Sequence, residues 1–162
     1  MTADNVKTRI LGIDPGYGRV GWGVIEGVRN KWTHVAHGCI ETSMHEPFLE
    51  RLLELEKALK DIIYKYQPDR AGVEDLYFAK NVKTAMKVGQ ARGVILLTLA
   101  AAGLPISEFT PLQVKQAMTG YGRAEKQQVE KLVALELGWK EKIRPDDAAD
   151  ALAIALTAGF LR

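Results

Sequence analysis

Apolar and polar positions follow two different periods along this chain, and the change from one to the other marks its elements. The first apolar run, Ile10-Leu11-Gly12-Ile13, ends on Asp14, turns at Pro15-Gly16 and returns through Trp22, Val24 and Ile25. So short and continuous a run predicts a strand buried on both faces in mid-sheet, with its hairpin partner alongside. Lys31 to Glu41 sets Trp32, Val35 and Ile40 among polar neighbours and predicts a third, antiparallel strand after a turn at Gly27 to Asn30. The period lengthens from Glu46 to Tyr66. There Leu52, Leu55, Leu59, Ile62 and Tyr66 recur every three or four residues, Arg51, Glu54, Lys57, Lys60 and Asp61 fill the other side, and Pro68 closes an amphipathic helix. Arg70 to Glu74 reads as a short strand that, following a helix, runs parallel to the first.

A long helix from Asn81 to Ala102 carries a stripe of small residues, Ala85, Gly89 and Gly93. Such a stripe admits the sheet or a helix of the same chain, or else a second subunit. Ile106 to Phe109 is a fifth strand, and Pro111 to Met118 a helix with Thr110 as its N-cap. The loop at 120–123 leads to a helix from Ala124 to Leu137 and a final Ala-rich helix from Asp147 to Leu161, with Asp146 as N-cap. The order predicts an α/β fold, a five-stranded mixed sheet flanked by helices, in a single domain over residues 1–162 with 1–8 as a flexible lead-in.

Composition narrows the class. A chain of 162 residues with 47% hydrophobic and 26% charged positions can bury a full core and reads as soluble and globular. Its single cysteine, Cys39, excludes an internal disulfide, suits a reducing cytoplasmic setting, and has no CxxC partner that would mark it as a nucleophile. No signal-peptide pattern opens the chain, and no run approaches the roughly 20 apolar residues of a membrane span. The net charge of +2 is polarised: residues 76–131 hold eight basic and three acidic side chains, a net +5, leaving −3 elsewhere. Lys80, Lys83 and Lys87 cluster at a helix start, where each cation opposes the helix dipole by ~0.3–1 kcal/mol. They form either a solvated basic face or a phosphate-binding one. Tyr77 and Phe78 would serve equally as core residues, but two adjacent aromatics in a strand-to-helix connection do not both point inward easily, so one is expected to be exposed for base stacking. His34, His37 and His45 fit no ligand pattern, and Trp22, Trp32 and Trp139 read as core.

The carboxylates carry the chemistry. Asp14, taken alone, is either a turn former or a functional acid presented at the rim of the core. Asp147 and Asp150, three residues apart, share a helix face with Cβ atoms ~5–6 Å apart. That face continues through the apolar Ala151, Ile154 and Ala158. Two carboxylates there cost several kcal/mol by order of magnitude unless a cation compensates. Stabilisation of the helix dipole explains Asp146 but not Asp150, which lies past the first turn. Glu74 ends the strand expected beside the first. Four oxygen ligands without His or Cys suit Mg²⁺ or Mn²⁺, and two such ions ~3.5–4 Å apart would clamp a phosphate for in-line displacement.

Several motifs occur together and in order: GIDPG, Glu74 followed by Asp75-Leu76-Tyr77-Phe78-Ala79-Lys80-Asn81, Gly89-Gln90-Ala91-Arg92-Gly93, Val114-Lys115-Gln116, Ala124-Glu125-Lys126 and DAADALAIA. From Arg9 to Leu161 the chain resembles the RuvC family of bacterial Holliday junction resolvases. The resemblance implies an RNase H-like fold and a homodimer that binds a four-way DNA junction. It also implies paired symmetric nicks made with two Mg²⁺ per subunit, Mn²⁺ substituting, in recombination and repair beside RuvA and RuvB. The family's catalytic, metal-holding carboxylates fall on Asp14, Glu74, Asp147 and Asp150, its junction-stacking aromatic on Tyr77, and its basic residues near the scissile phosphate on Lys115 and Lys126. Lys80, Lys83, Lys87 and Arg123 complete the expected DNA-binding set. Two other readings compete. Asp-x-Gly-x-x-x-x-Gly also resembles the phosphate loop of actin-like ATPases, which need two such halves, and the basic segment alone would suit a non-catalytic junction-binding module.

Overall fold

The computed structural model describes residues 6–75 and 81–161. Among the described residues five strands and five helices follow in the order β1 (Thr8–Asp14), β2 (Arg19–Val28), β3 (Lys31–Glu41), α1 (Phe48–Tyr66), β4 (Arg70–Glu74), α2 (Val82–Ala101), β5 (Ile106–Phe109), α3 (Pro111–Thr119), α4 (Lys126–Glu136) and α5 (Asp146–Phe160). The strands form one sheet in the order β3-β2-β1-β4-β5. β1, β2 and β3 pair antiparallel, while β4 runs parallel to β1 and β5 parallel to β4. This is the mixed, helix-flanked sheet expected, with β1 at its centre. Strand β1 begins at Thr8, inside the expected lead-in, and residues 1–5 of that segment lie outside the described residues.

Alternation along β1 divides the core in two. Leu11 and Ile13 face α1 and α2, packing with Leu55, Leu59, Ile95 and Leu99. Ile10 faces the other way, into the layer built from α5 with Val114, Val129 and Val133 of α3 and α4. Helix α5 is buried along almost its whole length, which its Ala-rich sequence permits. It lies directly on the strands at a bed of glycines. A Cβ on Gly12 would fall 2.0 Å from the Ala151 carbonyl oxygen, and one on Gly21 2.0 Å from that of Asp147. No side chain fits between helix and sheet at these two positions.

Several local expectations are corrected. The turn after β2 is only Arg29-Asn30, both at positive φ, because β2 extends to Val28. Asp146 is the first residue of α5 rather than its cap; Pro145 occupies the cap position without a side-chain hydrogen bond. Trp32 is core, but Trp139 is 36% exposed and packs edge-on against His34 and His37. Arg51, on the polar side of α1 by periodicity, is only 5% exposed. Thr110 does cap α3, in a reciprocal box with Gln113.

Candidate active site

The same alternation sets the site. Asp14 lies two residues beyond Gly12, and Glu74 two beyond Gly72, on the sheet face that α5 covers. Ile13 pairs with Val73 in the parallel β1–β4 ladder, so Asp14 and Glu74 leave adjacent strand ends together. Gly21, opposite Asp14 in the β1–β2 register, is where the first turn of α5 touches the sheet, bringing Asp147 to the same rim. Asp150 follows one helical turn on, below a buried stretch beginning at Ala151.

Electrostatically these four groups behave as one site. Burial pushes Asp14 up to about 9, reinforced by the Glu74 charge and by Asp150 and Asp147. The Asp14 and Glu74 carboxyls share a hydrogen bond. Glu74 is raised, chiefly by burial, with Asp150 adding and the Asp14 hydrogen bond, Lys115 and Lys126 opposing. Asp150 is raised by burial against the pull of Lys126, whose ammonium donates to its Oδ2 at 3.3 Å. Asp147 accepts from Arg19 Nε at 2.9 Å, and Arg19 also pairs with Glu41. Ionised together, the four carboxylates would outnumber Arg19 and Lys126, the two cations paired with them.

Among the described residues no three Asp, Glu, His or Cys side chains stand together ready to hold one ion. Asp147 and Asp150 are turned toward Arg19 and Lys126, and Asp14 toward Glu74. The donor set nevertheless fits a hard divalent cation: all-oxygen ligands, partly buried, with excess negative charge that a cation would relieve. Without divalent metal, stability is expected to fall as pH rises from about 4 to about 9. A carboxyl raised on folding from 3.8 to about 9 binds a proton in the native state across that interval and not in the unfolded one. Its favourable contribution is complete at the acid end and lost above the folded value. Mg²⁺ should raise Tm most at the alkaline end, and a Tm independent of both pH and Mg²⁺ would contradict this electrostatic picture.

The basic residues divide. Lys115 and Lys126 reach the carboxylates electrostatically, as both lower Glu74. Lys83 and Arg123 are exposed, and the Lys87 ammonium lies over the Tyr17 and Phe48 rings at 5.6 and 5.7 Å. Tyr77, Phe78 and Lys80 lie outside the described residues. Cys39 lies near Asp147, and burial raises its thiol, in keeping with an unreactive cysteine.

Sequence reading missed three arginines. Arg19 shares a β2 face with Gly21, and strand alternation held that signal. Arg51 donates to the Tyr17 carbonyl oxygen at 3.1 Å and to Thr42 Oγ1 at 3.0 Å, tying the turn after Asp14 to α1 and the end of β3. Arg92, counted in the basic segment, spends its donors inside the fold.

Residues 10–158 match the family model described as crossover junction endodeoxyribonuclease RuvC. A protein of that name from Petrotoga mobilis is 52% identical over 153 residues, 94% of each chain. One from Chloroflexus aggregans is 53% identical over 152 residues, 94% of this chain and 93% of that one. Among solved structures, RuvC of T. thermophilus in complex with Holliday junction substrate superposes with a TM-score of 0.89 at 37% identity, covering 94% of this chain and 93% of that one. The yeast mitochondrial Holliday junction resolvase Ydc2 shares the fold, with a TM-score of 0.67 at 15% identity over 93% of this chain and 78% of its own.

Proposed function

The chain belongs to the RuvC family of crossover junction endodeoxyribonucleases, and from that premise we propose that Asp14, Glu74, Asp147 and Asp150 are the catalytic centre with which it cuts four-way DNA junctions. It is an RNase H-like Holliday junction resolvase, a hydrolase of DNA phosphodiester bonds serving recombination and repair. The observation carrying the assignment is the convergence of the four carboxylates on one sheet face, where burial and mutual repulsion hold three of them above their ordinary range.

The four carboxylates would hold divalent cations, Mg²⁺ by preference and two per subunit, with Mn²⁺ substituting. Such ions, when bound, stabilise charge on the scissile phosphate and promote ionisation of the attacking water. The chain's own residues do the rest. Asp14 and Glu74, fixed on neighbouring strand ends, define where the phosphate sits, and the buried α5 gives Asp147 and Asp150 a rigid base. Lys126, paired with Asp150, and Lys115, beside Glu74, supply positive charge to the DNA strand. Hydrolysis leaves a 5′-phosphate and a 3′-hydroxyl. Lys80, Lys83, Lys87 and Arg123 extend the basic track along the junction arms, and Tyr77 stacks on a base near its centre.

A homodimer with two such centres explains paired nicking. The outer sides of α1 and α2 favour it. Leu49, Leu53 and Leu97 are exposed there around a groove of about 320 Å³, Met86 is exposed elsewhere on α2, and Gly93 has open space before it. Leu97→Glu should convert dimer to monomer in analytical ultracentrifugation and uncouple the two nicks; an unchanged dimer would place the interface elsewhere. RuvA and RuvB are the proposed branch-migration partners. The proposed setting is the cytoplasm, and no helix among the described residues is long and apolar enough to cross a membrane.

The direct test is a synthetic four-way junction incubated with the protein and Mg²⁺. Symmetric, ligatable paired nicks, abolished by chelation, are expected. An intact junction, or scattered unpaired nicks, would overturn the proposal.

A further inference from the structure

Arg92 lies on α2, behind the sheet, and its side chain is 15% exposed. Its Nε donates to the main-chain oxygen of Glu74 at 3.3 Å, and its Nη2 pairs with Asp75 Oδ1 at 3.3 Å and with Glu108 on β5. Alternation explains the grip. Glu74 points to the α5 face, whereas Val73 and Asp75 on either side point to the α2 face. Glu108 pairs with Val73 in the β4–β5 ladder and therefore also faces α2. One planar guanidinium thus reaches the strand's last carbonyl, the following carboxylate and the neighbouring strand.

We propose that Arg92 is a positioning residue for Glu74, gripping the end of β4 from the back of the sheet so that the Glu74 carboxylate stays at the metal-holding rim on the front. The inference rests on the assignment of Glu74 to the catalytic centre. β4 is five residues long, and beyond Glu74 the ladder continues with the Asp75 N–H to Phe109 carbonyl bond of 2.7 Å. Strand ends of this kind open most readily. Such an opening would swing the Glu74 side chain away from the rim. Arg92 opposes it by holding the 74–75 peptide plane, which sets the direction of the Glu74 side chain. Its charge is matched by Asp75 and Glu108, so Arg92 serves as a tether and not a phosphate contact.

Three variants separate the roles. Arg92→Met removes the tether, Arg92→Lys keeps the charge but loses the fork, and Glu108→Gln loosens the anchor on β5. Arg92→Met is expected to slow single-turnover junction cleavage about 10- to 100-fold and to weaken Mn²⁺ binding, measured calorimetrically without DNA, about 10-fold, the scale on which a residue supporting a ligand acts. Junction affinity in chelator should stay within about twofold. Arg92→Lys should recover only part of the rate, and Glu108→Gln should show a smaller defect of the same kind. If Arg92→Met does not fold, these two milder variants carry the test. Wild-type cleavage and Mn²⁺ affinity in the folded variants would overturn the proposal, as would a loss of junction affinity equal to the loss of rate. Glu74→Gln is measured alongside. Cleavage surviving in that variant would refute the site assignment itself; cleavage lost there but intact in the Arg92 variants would refute only the tether.

Discussion

Replacing Asp14 by Asn is expected to abolish junction cleavage, by about 10⁴-fold in single-turnover rate, on the scale of removing one member of a catalytic unit. Asn keeps the shape and the turn-forming capacity of the side chain but removes the charge that the cations and Glu74 act upon. Binding of the four-way junction, measured by gel shift in chelator, should be unchanged, because contacts to phosphate come from lysines and arginines. The metal-free variant should also be more stable than the wild type, increasingly so as pH rises, because it lacks a buried carboxyl that resists ionisation until about pH 9. Gain of stability with loss of function is the signature of a site strained for its ligand. Cutting at an undiminished rate would remove Asp14 from the centre. Unchanged stability would show that its burial is compensated by something other than metal. The non-catalytic junction-binding reading predicts stabilisation by Glu74→Gln or Asp150→Asn with no functional loss, so the same experiment extended to those positions excludes or restores it.

Gly12→Ala should be strongly destabilising, costing about 3 kcal/mol or more, at or beyond the upper range for overpacking. The added Cβ would lie 2.0 Å from the Ala151 carbonyl oxygen and 2.6 Å from the Ala155 amide nitrogen, backbone atoms of a helix held down along its length. Neither partner can yield, since β1 is the central strand and α5 also rests on Gly21 and Gly23. Against a total stability of about 5–15 kcal/mol, that is a large fraction. Gly21→Ala meets the same obstacle at Asp147, with the new Cβ 2.9 Å from the Asp147 Cβ, so whatever protein remains folded should cleave poorly. Gly93→Ala, with nothing within 4 Å, should instead stabilise α2 by about 0.5–1 kcal/mol. Urea midpoints measure all three. A Gly12→Ala protein as stable as the wild type would mean that α5 can lift from the sheet, removing the rigid base proposed for Asp147 and Asp150.

The acidic residues proposed for the site stand out in the sequence because each breaks a local rule. Asp150 sits past the first turn of a helix whose face is otherwise apolar, and Asp14 ends a strand too apolar to finish on a charge without cause. Glu74 was legible through topology, since a strand following a helix pairs parallel with the first. Arg51 and Arg92 were not, because an arginine on a helix reads the same whether its head reaches solvent or a buried carbonyl. Arg51 fell on the polar side of α1 by period, yet the turn after Asp14 folds over it and places its guanidinium 5.2 Å from the Tyr17 ring. Arg92 counted toward a basic patch until Asp75 and Glu108, remote from it in sequence, were brought alongside. Asp146 is a helical residue rather than the cap because the helix begins one residue earlier than its apolar pattern.

Period and alternation along the chain determined the order of the elements and the centrality of β1, and they singled out the four carboxylates proposed as the site, because these follow from which residues tolerate burial. Only the tertiary structure decided that a glycine bed lowers α5 onto the sheet face bearing Asp14 and Glu74, and which cation answers which acid. Those choices depend on contacts between residues far apart in sequence, Gly21 with Asp147, Lys126 with Asp150 and Arg92 with Glu108, whose energies exist only once the sheet has formed.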